Sequence, residues 1–469
     1  MDFRKSTIEE LVADVRGRRT SARALTEAAL ANIAATQATL NAVCAVEPDT
    51  ARAEADAIDR RLGAGDPVGP LAGVPFLVKD LEDAIGYRTT YGSALHQDVP
   101  RATTDSVLVA RLKAAGAVVV GKSNTPAFGF KGMTTNIPFG ATRNPWNTDY
   151  HAGGSSGGSG AALAAGIVPL ATGSDGGGSI RIPAAVCGFS GIKTSQGQVA
   201  LGGPNPPGSG VLTVKGPMAL RVRDTALALD VSRGDHPTDS YAHPHSGGSW
   251  RAALDGPNAP RKVVWSPTMG YATVDDEVMA ACEKVIAALE AAGVEVVRLP
   301  TIWASNPAGG WYAIWTTQRA RAQGHLRGTA DWDKIDADLR VQIEHGLSLS
   351  AVDYARAMDA SHTLAVSLEA AFGDADVILT PMLAGQVPSI DGPGLINGAP
   401  TNDWVQFSPA INMTRHPAGA SPIGLSRTGL PMSLQIIGRQ RDDVAVLTAM
   451  CFLEDLLNPR FDAPFGVTG

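Results

Sequence analysis

Residues 151–195 read HAGGSSGGSGAALAAGIVPLATGSDGGGSIRIPAAVCGFSGIKTS, and the way glycine, serine and apolar residues alternate in them decides the architecture. Two glycine–serine clusters bracket a helix-forming run, then a strand-forming one. A flexible linker needs neither. A phosphate-binding loop of the GxxxxGK[ST] kind would need a lysine and hydroxyl that are missing, and no GxGxxG opens a helix in the right context. What remains is a nucleophile site. Gly154-Ser155-Ser156-Gly157-Gly158 formally matches the GxSxG elbow with Ser156 as nucleophile, but an elbow sits directly between a strand and a helix. The preceding NPWNTDYHAGG (144–154) reads as loop.

Outward from this segment, GVPFLVKD (73–80) and AVVVGKSN (117–124) are buried-strand patterns, with a helix expected over 106–115 between them. RKVVWS (261–266), a long amphipathic helix over about 275–292 and VEVVRLP (294–300) form a second strand–helix–strand unit. Residues 6–60 read as a helical N-terminal cap, with Ser6 as a capping residue before Ile8, Leu11, Val12 and Val15. Residues 70–200 read as the catalytic core, about 201–260 as Gly/Pro-rich loop, and 303–372 as helical. ADVILTP (375–381) and MSLQIIG (432–438) return to strand character before a closing helix over 443–457. The expected fold is α/β: one large domain with a mixed, mostly parallel central sheet covered by helices on both faces.

Composition narrows the functions. Hydrophobic residues make up 44% of the 469 and charged residues 18%, enough apolar material for a large core. A net charge of −7 argues against nucleic acid or an anionic membrane as partner, since both call for a basic face. Small molecules become the expected partners. Cys44, Cys187, Cys282 and Cys451 lie far apart with no metal-ligand spacing, so neither a disulfide framework nor a zinc site is expected. MDFRKSTIEELVADVRG lacks the apolar core of a signal peptide, and a cytoplasmic protein is expected.

The segments GGSSGGSGAALAAG (153–166) and GSDGGGSIRIPAAVCGFSGIKTS (173–195), with GVPFLVKD and GATRNPWN (140–147) upstream and KGPMALRVRDTALAL (215–229) and GLPMSLQIIGR (429–439) downstream, resemble the amidase signature enzymes in order over nearly the whole chain. The resemblance implies the amidase signature fold and a serine hydrolase of amide-type C–N bonds, with Ser179 as nucleophile, Ser155 as bridging serine after a cis peptide, and Lys79 as base. It assigns Gly176, Gly177 and Gly178 to the oxyanion loop, and Asp175 and Arg181 to its support. No metal or organic cofactor is implied. A serine hydroxyl needs a base to take its proton, and a lysine serves when burial keeps it neutral near pH 7; Lys79 follows the apolar run Val74–Val78. Lys122, also at a strand end, is the alternative base.

The segment SNTPAFGFKGM (123–133) resembles that of free-standing amidases more than the NMDEFAMG-like stretch of the glutamine-hydrolysing amidotransferase subunit, the alternative function. Phe128, Phe130, Met133, Trp311 and Trp315, with Trp303 and Tyr312 nearby, fall where relatives build pocket walls, so the expected substrate is a small-molecule amide or carbamate with an apolar or aromatic group, cleaved by an aryl acylamidase or urethanase. Two positions depart from the family pattern: Gly176, where relatives often carry a larger residue, and Thr414-Arg415-His416-Pro417.

Overall fold

Along the segment Pro75–Lys79, Phe76 and Val78 enter one apolar cluster and Leu77 another, because successive residues of a strand point to opposite faces. The computed structural model describes residues 1–203, 210–245 and 247–467. Its strands are β1 (Val43–Ala45), β2 (Pro75–Lys79), β3 (Val118–Ser123), β4 (Leu170–Asp175), β5 (Gly191–Lys193), β6 (Val214–Ala219), β7 (Lys262–Trp265), β8 (Glu295–Arg298), β9 (Val377–Pro381), β10 (Gly394–Ile396), β11 (Ala399–Thr401), β12 (Ala418–Leu425) and β13 (Pro431–Ile437). One sheet has the order β1-β3-β2-β4-β6, a second β5-β12-β13-β9-β7-β8, and β10-β11 is a small hairpin. β5 lies against β6, so the two large sheets adjoin.

The same parity divides the second sheet. Val263, Trp265, Leu379, Leu434 and Ile436 share a cluster with Phe76 and Val78, while Val264, Ile378 and Ile437 face another that holds Leu368 and Phe372 of the helix Ala351–Phe372. One apolar layer thus runs beneath both sheets, closed by the helices Val107–Ala114, Val222–Ser232, Asp276–Ala291 and Asp443–Leu457. On the other face of the first sheet lie the helices Ile8–Arg16, Ala22–Leu40, Pro48–Ala64, Gly157–Ala164 and Arg181–Cys187. The architecture is the α/β one expected, with helices on both faces. No helix among the described residues is long and apolar enough to cross a membrane.

Three details differ from the sequence expectation. The pairings β2–β3, β2–β4, β7–β8 and β7–β9 are parallel, but β1, β5, β6, β12 and β13 pair antiparallel, so the sheet is less parallel than the strand–helix–strand units alone suggest. Within the stretch expected to be loop, β6 and the helix Val222–Ser232 are regular; Gly216 and Pro217 mask the strand signal, yet β6 borders β4 on a sheet edge, where proline is tolerated. Residues 204–209 of that stretch lie outside the described residues. The first helix is capped by Thr7 and not by Ser6: Thr7 Oγ1 accepts the Glu10 N–H at 3.2 Å and Glu10 Oε2 accepts the Thr7 N–H at 2.8 Å, a reciprocal capping box.

The glycines of Gly157–Ala164 serve close packing. A Cβ on Gly158 would lie 2.3 Å from the Asn124 backbone nitrogen, so this helix rests directly on the end of β3. Truncating the larger of the two β2 residues in the shared layer is expected to be costly: Phe76→Ala should lose about 3–5 kcal/mol, read as a lower urea midpoint by circular dichroism.

Candidate active site

β2 delivers Lys79 to the face that carries the helices Gly157–Ala164 and Arg181–Cys187. Its side chain is fully buried, and its Nζ lies 2.7 Å from Ser155 Oγ, 2.8 Å from Ser156 Oγ and 2.9 Å from Ser174 Oγ. Burial pushes the Lys79 pKa down to about 7, further lowered by Lys215 and opposed by Glu82 and Asp175. Around a tetrahedral nitrogen three hydroxyls fill every position not taken by Cε. A neutral amine there donates twice and accepts once. The Gly154–Ser155 peptide is cis.

Lys122 is elsewhere for a reason of register. In the parallel pair β2–β3, Val78 is opposite Lys122 and Lys79 opposite Ser123, and opposed residues share a face. Lys122 therefore emerges on the other side of the sheet, 3.2 Å from Asp80 and bonded to the Glu82 carbonyl and Thr89. Lys193, also pushed down to about 7 by burial and the neighbouring Arg181 charge, donates to the Thr194 carbonyl and does not line the cavity. Ser156, the elbow serine, is fully buried between Lys79 and the Ser174 N–H, whereas Ser155, Ser174 and Ser179 line the cavity.

Beyond β4 the loop 176–179 is held by its carbonyls. Asp175 O accepts from Asn412 Nδ2 at 2.9 Å, Gly176 O from Trp311 Nε1 at 2.8 Å, Gly177 O from Ser408 Oγ at 2.6 Å and Gly178 O from Ile182 N at 2.6 Å. A trans peptide points its N–H opposite to its C=O, so each bond also aims the next residue's donor. The Gly178 N–H goes to Asp175 Oδ1 at 2.7 Å. This corrects its place among the expected oxyanion donors: it is already bonded, while among the described residues no acceptor takes the N–H of Gly176, Gly177 or Ser179. Asp175 and Arg181 form a fully buried pair beneath the loop, at 2.9 Å. Burial pushes the Asp175 carboxyl up, but Arg181 and Asn412 more than offset this and hold it well below the usual carboxylate range.

These groups meet at a cavity of about 620 Å³ whose walls include Leu81, Tyr91, Phe128, Lys215, Trp315 and Arg319. Of the expected pocket residues, Phe128 and Trp315 line it. Phe130 does not, being packed with Ile335, Leu339 and Ile343, and Met133 packs against the helices on the Lys79 face. Trp311 lies behind the glycine loop rather than on the cavity wall, and Arg415 faces a separate surface groove. Sequence reasoning passed over Tyr91, Lys215 and Arg319, which carry no local signal. Ser174 did carry one: it stands two residues from Thr172, whose Oγ1 accepts the Lys79 N–H, and the period of two puts both on one face of β4. Gly176, where relatives often carry more, has no room for it, because a Cβ would lie 2.7 Å from Thr213 Oγ1 and 2.8 Å from the Trp315 ring.

The Amidase family profile matches residues 24–447. An acylamidase of Rhodococcus erythropolis is 34% identical over 452 residues, covering 93% of this chain and 92% of that protein. A glutamyl-tRNA(Gln) amidotransferase subunit of Roseiflexus sp. (strain RS-1) is 34% identical over 459 residues, covering 92% of each. Among solved structures, a bacterial aryl acylamidase of the amidase signature family superimposes with a TM-score of 0.92 at 30% identity over 99% of both chains. The chain belongs to the amidase family and is an amide hydrolase.

Proposed function

We propose that this amidase acts alone on small amides whose acyl or amine part is aromatic or otherwise apolar, with aryl carbamates as a second substrate class, through an acyl-enzyme on Ser179. The observation that carries the reading is the Lys79 amine, buried, depressed to about 7 and within hydrogen-bond reach of three hydroxyls. Ser156 and Ser174 accept its two N–H groups, which leaves the lone pair for the Ser155 proton. As Ser179 Oγ bonds to the substrate carbonyl carbon, its proton passes to Ser155 and the Ser155 proton to Lys79. The carbonyl oxygen, now an anion, faces the N–H groups of Gly176, Gly177 and Ser179. The Lys79 ammonium returns the proton through Ser155 to the departing nitrogen as the C–N bond breaks, and water releases the acyl group by the same route in reverse.

The aromatic preference is supported by the cavity wall. Phe128 stacks on Tyr91, with ring centroids 6.0 Å apart and 18° between planes, and Trp315 lines the same cavity. About 620 Å³ suits a single-ring or two-ring substrate. A carbamate presents the same carbonyl to the same loop. A cytoplasmic location belongs to the same reading: Cys44, Cys187, Cys282 and Cys451 are free thiols, the state that a reducing compartment maintains.

A fluorophosphonate probe should label the wild-type protein and the Ser156→Ala variant but not Ser179→Ala; labelling lost with Ser156→Ala alone would move the nucleophile. Lys79→Met should abolish turnover. Because Lys79 acts neutral and titrates near 7, kcat/KM should fall about tenfold per pH unit below that value and level off above it. Purified protein assayed on anilides, aliphatic amides, aryl esters, carbamates and glutamine should favour the aryl amides; preferential glutamine hydrolysis would instead support an amidotransferase subunit.

A further inference from the structure

The helix Ala308–Gln323 does two things at once. Trp315 and Arg319 build the cavity wall, while one turn earlier the Trp311 indole N–H donates to the Gly176 carbonyl at 2.8 Å. The Trp311 ring is wedged in place. It stacks on Trp315 at 5.2 Å between centroids and 17° between planes, Trp315 Nε1 is tied to Gln342 at 3.0 Å, and the Arg319 guanidinium lies 4.4 Å from the Trp315 ring. On its other side it closes over Gly177, where a Cβ would lie 2.5 Å from Trp311 Cζ2.

We propose that Trp311 is a positioning residue for the reaction, aiming the Gly177 N–H at the oxyanion by fixing the Gly176 carbonyl. The inference rests on the Ser179 mechanism above. Its physical basis is the peptide between two glycines. Neither Gly176 nor Gly177 has a Cβ to bias its dihedrals, so nothing local prevents that plane from turning over. A flipped plane would point the Gly176 carbonyl toward the developing anion and the Gly177 N–H away from it. The other carbonyls of the loop are held from within the core or by Ser408 and Asn412; this one is held, among the described residues, by the helix that forms the substrate wall. Trp311 does not line the cavity. It acts through the loop, and it ties the wall that recognises the aryl group to the donor that stabilises the transition state.

Trp311→Phe keeps the ring and removes the N–H. On an aryl amide, kcat should fall roughly tenfold, as loss of one orienting hydrogen bond implies, while KM changes by less than about twofold. The inhibition constant of an aryl trifluoromethyl ketone, which forms an oxyanion adduct with serine, should rise by the same factor as kcat falls. Trp315→Phe, whose lost N–H bonds to Gln342 and not to the loop, should instead act mainly on KM. Melting curves establish folding; if Trp311→Phe does not fold, Trp311→His, which keeps a ring N–H, is assayed in its place and should retain part of kcat. Values of kcat and ketone affinity that stay at wild-type levels in the folded Phe variant would overturn the proposal. A wild-type protein that neither binds the ketone nor takes the fluorophosphonate at Ser179 would overturn the Ser179 mechanism, and the positioning role with it.

Discussion

The buried ion pair of Asp175 and Arg181 fixes the rest of the site. Asp175 ends β4 and receives the Gly178 and Ile180 N–H groups, Arg181 Nε and Nη2, and Asn412 Nδ2. Arg181 opens its helix and reaches Gln435 of β13 at 2.6 Å and Asn412 at 2.6 Å. One pair thus ties the first sheet, the glycine loop, the second sheet and the helix Ser408–Thr414. Taking two charges out of water is expensive, and removing one partner of such a pair typically costs about 3–5 kcal/mol because the other is left uncompensated. That cost makes the loop geometry hard to lose: the bonds that satisfy the buried charges also commit the Gly178 N–H, while among the described residues no acceptor takes the N–H of Gly176, Gly177 or Ser179.

Charge and parity together select one lysine out of three. Lys79, Lys122 and Lys193 are all buried. Lys122 has a carboxylate partner in Asp80 and is engaged as one half of a buried ion pair. Lys193 is depressed like Lys79, but carbonyl and charged groups surround it, not hydroxyls facing a cavity. Of these three, Lys79 alone combines a pKa lowered to about 7 with a hydroxyl contact leading to the cavity. Desolvation alone does not make a base; the neighbours decide what the neutral form can do.

Much of this was legible in the chain itself. β2, β3, β7 and β9 stand out as apolar runs between turn residues, and the helix Asp443–Leu457 matches its periodic pattern. β5, β6 and β12 do not, because Gly191, Gly216, Pro217, Gly419 and Pro422 interrupt their alternation, and these are strands whose antiparallel pairing makes the sheets less parallel than the mostly parallel one expected. The placement of Lys122 was hidden for a different reason. Two lysines at two strand ends look equivalent until the register is known, and a register displaced by one residue sends them to opposite faces. Phe128 and Phe130 were likewise inseparable by spacing. Phe128 adopts φ 52°, a left-handed turn that breaks the strand-like alternation, so one ring joins the cavity wall and the other the cluster with Ile343.

The glycine loop and the groups that hold it come from different parts of the chain. The glycine run needs close approach, so it has no side chains with which to hold itself and must be held by others. Its clamps arrive from residues 311, 408 and 412, more than a hundred positions away, on helices whose sequences carry no signature. Cavity wall and clamp meet on adjacent turns of one helix: Trp315 toward the cavity, Trp311 toward Gly176 and Gly177. The two rings stack on one another, 5.2 Å between centroids, so the cavity wall and the clamp on the Gly176–Gly177 peptide are packed as one unit.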